Sequence, residues 1–226
     1  TTSLGGVNDY GVLFEWDPDS NIYIRRFDFD SVVTGCLPKG SLILADNGYM
    51  YGMTSQGGTY GMGVIFQWDT RTNTFTKMFD FKGTETGSHP NGSLLQANTG
   101  YFYGMTVDGG LNNMGVLFEW DPENNSLIKK VDFNGNSSGK FPYGSLIQAD
   151  NGMLYGMTTE GGANNCGVLF AFNRGNDSFA VKMEFSGTAT GKNPHGSLLQ
   201  AKNGRLYGMT VNGGLRDNGV IFEYDP

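Results

Sequence analysis

Apolar and polar positions recur along this chain with a period of 52 residues. Tyr-Gly-Met-Thr begins at Tyr51, Tyr103, Tyr155 and Tyr207, with Thr2 in phase. Gly-Val-(Leu/Ile)-Phe begins at Gly11, Gly63, Gly115, Gly167 and Gly219, and Gly-Ser-Leu at Gly40, Gly92, Gly144 and Gly196. Within each period, four short aromatic and aliphatic segments are separated by Gly, Asn, Asp and Pro, the pattern of consecutive antiparallel strands. Strand A covers residues 93–97 and its equivalents, and turns through Asp46-Asn47-Gly48, Asn98-Thr99-Gly100 or Asp150-Asn151-Gly152. Strand B covers 101–106 and strand C covers 115–120, with Val116, Phe118 and Trp120 on one face because side chains alternate along a strand. Asp17-Pro18 and Asp121-Pro122 predict a type I turn into strand D, with Asn21, Asn73 and Asn125 at the reversal.

Strand D carries an acid in every copy, at Asp28, Asp80, Asp132 and Glu184. A base stands two residues earlier, on the same face, at Arg26, Lys130 and Lys182, while Met78 departs from the pattern. Paired charges on a last strand predict an edge protected against aggregation rather than a ring of metal or substrate ligands.

A four-stranded unit of this size cannot bury both of its faces, so copies must pack against each other. Radial packing predicts an all-β fold, a β-propeller of four-stranded antiparallel blades. Strand C occurs five times and strands A and D four times each, giving four complete sets plus an extra strand and four or five blades. Closing four blades would set residues 219–224 against residues 11–16 for one slot, and five need a longer chain than 226 residues. Residues 1–226 are therefore expected to be a single propeller domain or a propeller fragment of a longer chain. The surplus strand C offers a route to homo-oligomers.

Composition narrows the class. Thirty-six Gly among 226 residues is about twice the usual share of roughly 7%, yet 38% hydrophobic residues suffice for a core, which excludes disorder and collagen. Twenty-two acidic against 15 basic side chains, with no basic cluster, argue against nucleic acid, and no apolar run is long enough for membrane insertion. Two Cys make neither a disulfide framework nor a zinc site.

The blade pattern resembles kelch-type blades. Over essentially the whole chain, L-Y-G-M-T-x-x-G-G, then G-V-[LI]-F-E-[WY]-D-P, then F-D-F-x-G-x-x-x-G-x-x-P-x-G-S-L resembles the GloVer tandem-repeat family of secreted bacterial proteins. The resemblance implies a propeller in large exported or surface-anchored proteins, with an extracellular or cell-surface location and no established reaction. Family members often carry Cys before the strand C segment and after strand D. Here only Cys166 and Cys36 stand there, in different units, and free thiols are expected.

If the strands alternate in direction, A–B and C–D turns share one face, and the longer B–C and D–A loops share the other. The B–C loops keep a fixed Gly frame with varying residues between, an arrangement suited to binding. The candidates for ligand contact are Tyr10, Gln56, Tyr60, Asp108, Asn112, Asn113, Glu160, Asn164, Asn165, Asn212 and Asp217. Amides and carboxylates beside an aromatic can hydrogen-bond and stack on a sugar. Each Asn or Asp has an alternative role as a turn former satisfying its own loop.

The repeated Thr at 2, 54, 106, 158 and 210 is expected to tie down its Gly-Gly loop, and the series Trp16, Trp68, Trp120, Phe172, Tyr224 to pack between blades. His89 and His195 fall at different phases, and no H-E-x-x-H, G-x-S-x-G, Walker or calcium-loop pattern is present. No catalytic residue, metal site or cofactor is assigned. The expectation is a non-enzymatic binding or adhesion module for glycan or protein. The alternatives are a structural spacer or self-assembly module and, less favoured, a polysaccharide-active enzyme.

Overall fold

The computed structural model describes all 226 residues, Thr1–Pro226, as an all-β chain of 17 strands. The first sheet pairs β1 (Val12–Asp17) with β2 (Ile22–Asp28). Three four-stranded sheets follow: β3 (Ile43–Leu44), β4 (Met50–Thr54), β5 (Val64–Asp69) and β6 (Thr74–Asp80); β7 (Leu95–Gln96), β8 (Phe102–Thr106), β9 (Val116–Asp121) and β10 (Ser126–Asp132); and β11 (Ile147–Gln148), β12 (Leu154–Thr158), β13 (Val168–Asn173) and β14 (Ser178–Glu184). The last sheet holds β15 (Leu199–Gln200), β16 (Leu206–Met209) and β17 (Ile221–Tyr224). Strands run A-B-C-D and antiparallel within each sheet. The four sets plus one strand are thus divided into three full blades, a leading C–D pair and a trailing A–B–C triplet.

The sheets stack through two unlike faces. Tyr51, Met53 and Ile65 of one blade pack on Phe81, Leu94, Phe102, Val116, Phe118 and Trp120 of the next, and the same set recurs 52 residues later. Phe29, Phe81, Phe133 and Phe185, each fully buried, lead from strand D into the next blade. Their N–H groups donate to the carbonyls of Gly11, Gly63, Gly115 and Gly167 at 3.0–3.1 Å. The Trp series packs between blades at Trp68, Trp120 and Phe172, which are 3%, 0% and 0% exposed.

Stacked sheets normally stand about 10 Å apart. Beside strand A the backbones touch instead. A Cβ on Gly40, Gly92 or Gly144 would lie 2.2–2.3 Å from the carbonyl oxygen of the glycine 52 residues on. There the N–H of Ser41, Ser93 and Ser145 donates to Oγ of Ser93, Ser145 and Ser197 at 2.8–2.9 Å. The sheets converge on this Gly-Ser seam and fan outward from it, which makes the array propeller-like.

The fan is open. The leading and trailing sheets do not merge into a closing blade. Trp16 is 54% exposed, and at the other end Met209 and Ile221 are 62% and 77% exposed, although their equivalents within the stack are buried.

Strand D differs from the sequence expectation in one respect. A bulge in each C–D pair shifts the register, and in three copies the acid pairs with the base three positions earlier rather than two, while Val181 holds that position before Glu184. Arg25–Asp28, Lys77–Asp80 and Lys129–Asp132 lie at 3.3, 2.8 and 3.0 Å. The bases two positions earlier turn elsewhere, Arg26 to Glu15 at 2.8 Å and Lys130 to Glu119 and Asp177 at 3.4 and 3.2 Å.

Candidate functional site

The B–C loops face the D–A segments on one side of the fan. Backbone bridges join Cys36 to Gln56, Ser88 to Asp108, Lys140 to Glu160, and Lys192 to Asn212. The opposite side gathers the A–B and C–D turns, where residues 99–101 and 121–124 line a common cleft.

A repeated hydrogen-bond frame sets each B–C loop. The Thr54 hydroxyl donates to the Gln56 carbonyl at 3.0 Å and accepts the Val64 N–H at 3.2 Å, and Thr106 and Thr158 repeat both bonds. The strand D acid holds the loop crest. Asp28, Asp80, Asp132 and Glu184 accept the N–H of Val7, Thr59, Leu111 and Ala163 at 2.7–2.9 Å. This bond spans 21 residues and explains the acid's recurrence better than edge protection does. At Asp80, burial raises the carboxyl's affinity for its proton. Bonds from Lys77 and from the Thr59 N–H and hydroxyl outweigh it and leave the group below the usual carboxylate range.

The frame uses several of the candidate ligand residues. Asn113, Asn165 and Asp217, all at positive φ, accept the N–H of Gly109, Gly161 and Gly213 at 3.0, 3.1 and 2.7 Å. Asn112 and Asn164 donate Nδ2–H to the carbonyls of Phe133 and Phe185 at 2.9 and 3.2 Å. Tyr10 and Tyr60 are exposed, with Lys82 Nζ 5.8 Å from the Tyr60 ring centre.

Gln56, Asp108, Glu160 and Asn212 share one phase, and their side chains take different partners. Glu160 pairs with Lys140 at 3.1 Å, Asn212 donates to Asn193 Oδ1 at 3.4 Å, and Gln56 is exposed. Asp108 Oδ2 lies 3.2 Å from His89 Nδ1, but the alignment is poor, and Nδ1 is buried without a hydrogen bond.

Asp108 and Gln56 border a cavity of about 270 Å³, walled also by Lys39, Ser55, His89, Asn91, Val107 and Tyr143 from three successive blades. Behind its surface, Ser55 Oγ and Asn91 Oδ1 are buried without a hydrogen bond. Tyr143 stacks on His195 with centroids 4.7 Å apart and planes 4° apart. Burial, then the charges of Asp108 and Glu160, push its hydroxyl above the usual tyrosine range.

Reading the B–C loops alone misses Lys39, His89, Asn91 and Tyr143. The signal was present in the D–A segment. Between the bridging residue and the constant Gly-Ser-Leu, the phases Leu37/His89/Phe141/Asn193 and Lys39/Asn91/Tyr143/His195 vary freely around an invariant Pro.

A family model described as the Gloeobacter/Verrucomicrobia repeat matches residues 1–99 and 83–226. No curated protein matches the chain. Among solved structures, the chain is similar to the extracellular domain of a hybrid two-component system from B. thetaiotaomicron, with TM-score 0.65, 13% identity, and coverage of 97% of this chain and 25% of that one. TolB from Acinetobacter baumannii gives 0.57 and 12%, covering 95% and 46%. A gluconolactonase from Xanthomonas campestris gives 0.59 and 14%, covering 95% and 66%. The chain therefore spans a quarter to about two thirds of these structures, and at such identities the likeness concerns the fold. No helix is long and apolar enough to cross a membrane.

Proposed function

Because the chain belongs to the Gloeobacter/Verrucomicrobia repeat family, we propose that it is an extracellular, non-enzymatic binding module that presents a glycan or protein ligand to one face of its blades. The observation that carries this reading is the division of labour in the B–C loops. Threonine hydroxyls, strand D acids and Asx side chains hold the backbone in copy after copy. The residues at the Gln56 phase, Gln56, Asp108, Glu160 and Asn212, stand on that frame and change from copy to copy. A rigid scaffold with variable side chains is the arrangement binding surfaces use. One fold neighbour is itself an extracellular domain, in keeping with an exported module. Purified protein on a glycan array, together with pull-downs from the source milieu, tests the reading. Saturable capture of a ligand is expected, and no sugar bound at millimolar concentration with no partner retained would overturn it.

A second reading, self-assembly, is favoured by the uncovered ends. Met209 and Ile221 expose the face that packs on the Phe and Trp side of a following blade, and Trp16 lies on the matching side of the first. On this reading, light scattering shows concentration-dependent oligomers that deletion of residues 219–226 reduces. An unchanged mass would sink it.

A further inference from the structure

We infer that the free edge of β17 and the loop crest beside it, residues 213–217, dock an extended segment of another polypeptide. That segment carries an apolar residue, a carboxylate five positions later and a Phe directly after the carboxylate. This goes beyond the ligand-binding reading, which concerns the loop face. It also differs from face-to-face self-assembly, because the contact is strand pairing along an edge.

The first argument is the edge itself. In the other four sheets strand C is covered by strand D, whereas β17 pairs with β16 alone. Every strand D, which faces outward, carries Arg or Lys and a bulge, the devices that blunt an edge against further pairing. β17 reads Ile221-Phe222-Glu223-Tyr224, with no Lys, Arg or Pro. An unblunted row of N–H and C=O groups is a template for an added strand.

The second argument is a set of groups that strand D engages elsewhere. Its acid accepts the crest N–H of Val7, Thr59, Leu111 and Ala163, and the Phe after the acid donates its N–H to the carbonyl of Gly11, Gly63, Gly115 and Gly167. Five residues before the acid, Tyr23, Phe75 and Phe179 lie on Phe14, Phe66 and Phe170 with centroids 5.1–5.3 Å apart. In the last sheet the counterparts are present and unused. The Leu215 N–H and the Gly219 carbonyl make no hydrogen bond. Phe222 is half-buried, although Phe66, Phe118 and Phe170 at its phase are 0% exposed. Arg216 is exposed at the phase where Asn112 and Asn164 donate to the Phe carbonyl.

The third argument is space and charge. A Cβ on Gly6, Gly58 or Gly110 would lie 2.5 Å from the oxygen of its strand D acid, whereas at Gly214 no acid approaches. A cavity of about 490 Å³ opens there instead, lined by Gly214, Leu215, Arg216 and the Lys192–Asp217 pair. A carboxylate entering it meets a free N–H and a guanidinium, the donors that bind carboxylates most strongly. Glu223 holds the phase of Glu15 and Glu119, which pair with Arg26 and Lys130, so a base two positions before the incoming acid fixes the register further.

The test uses the 226-residue chain and a synthetic peptide of its residues 123–134, in which Leu127, Lys130, Asp132 and Phe133 carry the pattern. Fluorescence anisotropy of the labelled peptide should show saturable one-to-one binding. Amide exchange should show new protection at Leu215 and Ile221–Tyr224, with none gained in β6, β10 or β14. Asp132→Ala in the peptide should weaken binding by about tenfold, as loss of a charged hydrogen bond does, and a scrambled peptide should not bind. Arg216→Ala in the protein, a change at an exposed loop position, should weaken binding severalfold at an unchanged melting temperature. No binding at millimolar peptide, equal binding of the scrambled or Asp132→Ala peptide, or protection gained elsewhere would overturn the inference. Oligomers of the protein alone that protect Ile221–Tyr224 and resist the peptide would make a second copy the occupant and overturn it as well. None of these outcomes bears on the glycan array that tests the loop face.

Discussion

Trp120→Ala compared with Trp16→Ala measures how far these blades depend on their neighbours. The two residues occupy the same phase and make the same side-chain bond, Nε1–H to Asn125 and to Asn21, each at 3.2 Å. They differ in cover. Trp120 is 0% exposed, with the Tyr51 and Phe102 rings both 5.5 Å from it, whereas Trp16 is 54% exposed. Truncating a fully buried Trp costs about 3–5 kcal/mol, including the cavity left behind. For Trp16, less than half of a side chain that buries about 250 Å² is involved, which at about 25 cal/mol per Å² gives an upper bound near 3 kcal/mol and a realistic cost of about 1–2. Urea unfolding followed by far-UV circular dichroism gives the two values, and amide exchange shows whether the Trp120 loss spreads into β4 as well as β8. Equal costs would mean that the end face is covered and the fan is not open. A cost below about 1 kcal/mol for Trp120→Ala would refute the claim that blade-to-blade packing holds the fold.

Other outcomes follow from the loop frame and the seam. Thr106→Val keeps the shape of a fully buried residue but removes its bonds to the Asp108 carbonyl and the Val116 N–H, so a loss of about 1–2 kcal/mol by denaturant titration is expected. Asp80 has a folded pKa lowered below its unfolded value of about 3.9, so its contribution is complete above that pH and is lost as the pH falls through the folded value; D80N should flatten the acid limb of stability measured below about pH 4. Gly92→Ala would set a Cβ 2.3 Å from the Gly144 carbonyl, backbone that cannot swing aside, and should lower the melting temperature more than Gly100→Ala, whose added atom meets nothing but whose positive φ carries its own strain. Thiol titration should count two free cysteines, the half-buried Cys166 reacting faster than Cys36, whose thiol is pushed up by burial and by the charge of Asp30.

The candidate site was legible only in part. Gln56 and Asp108 stand out because they vary within a constant loop, yet the cavity they border is completed by Lys39, His89 and Asn91 from D–A segments, Lys39 lying 69 residues before Asp108 in the chain. The roles of Asn113 and Asn165 as turn formers were readable from their chemistry, since an Asx side chain two to four residues from a Gly N–H satisfies it locally. The acids of strand D were visible as a series, but their task was not. Alternation predicts a partner two residues away, and the bulge that moves it to three is a property of the paired strands, not of either strand alone.

Sequence alone determined the repeating unit, its strand order, its turns and which faces must be buried, because these depend on contacts within about 50 residues and recur in every copy. Tertiary structure decided how the copies meet: the glycine seam, the open ends, and the gathering of Lys39, Gln56, His89 and Tyr143 from three blades beside one pocket. The physical reason is that a period specifies the surface each blade offers, while the satisfaction of a buried atom depends on what its neighbours supply. That is settled only where the repeats differ.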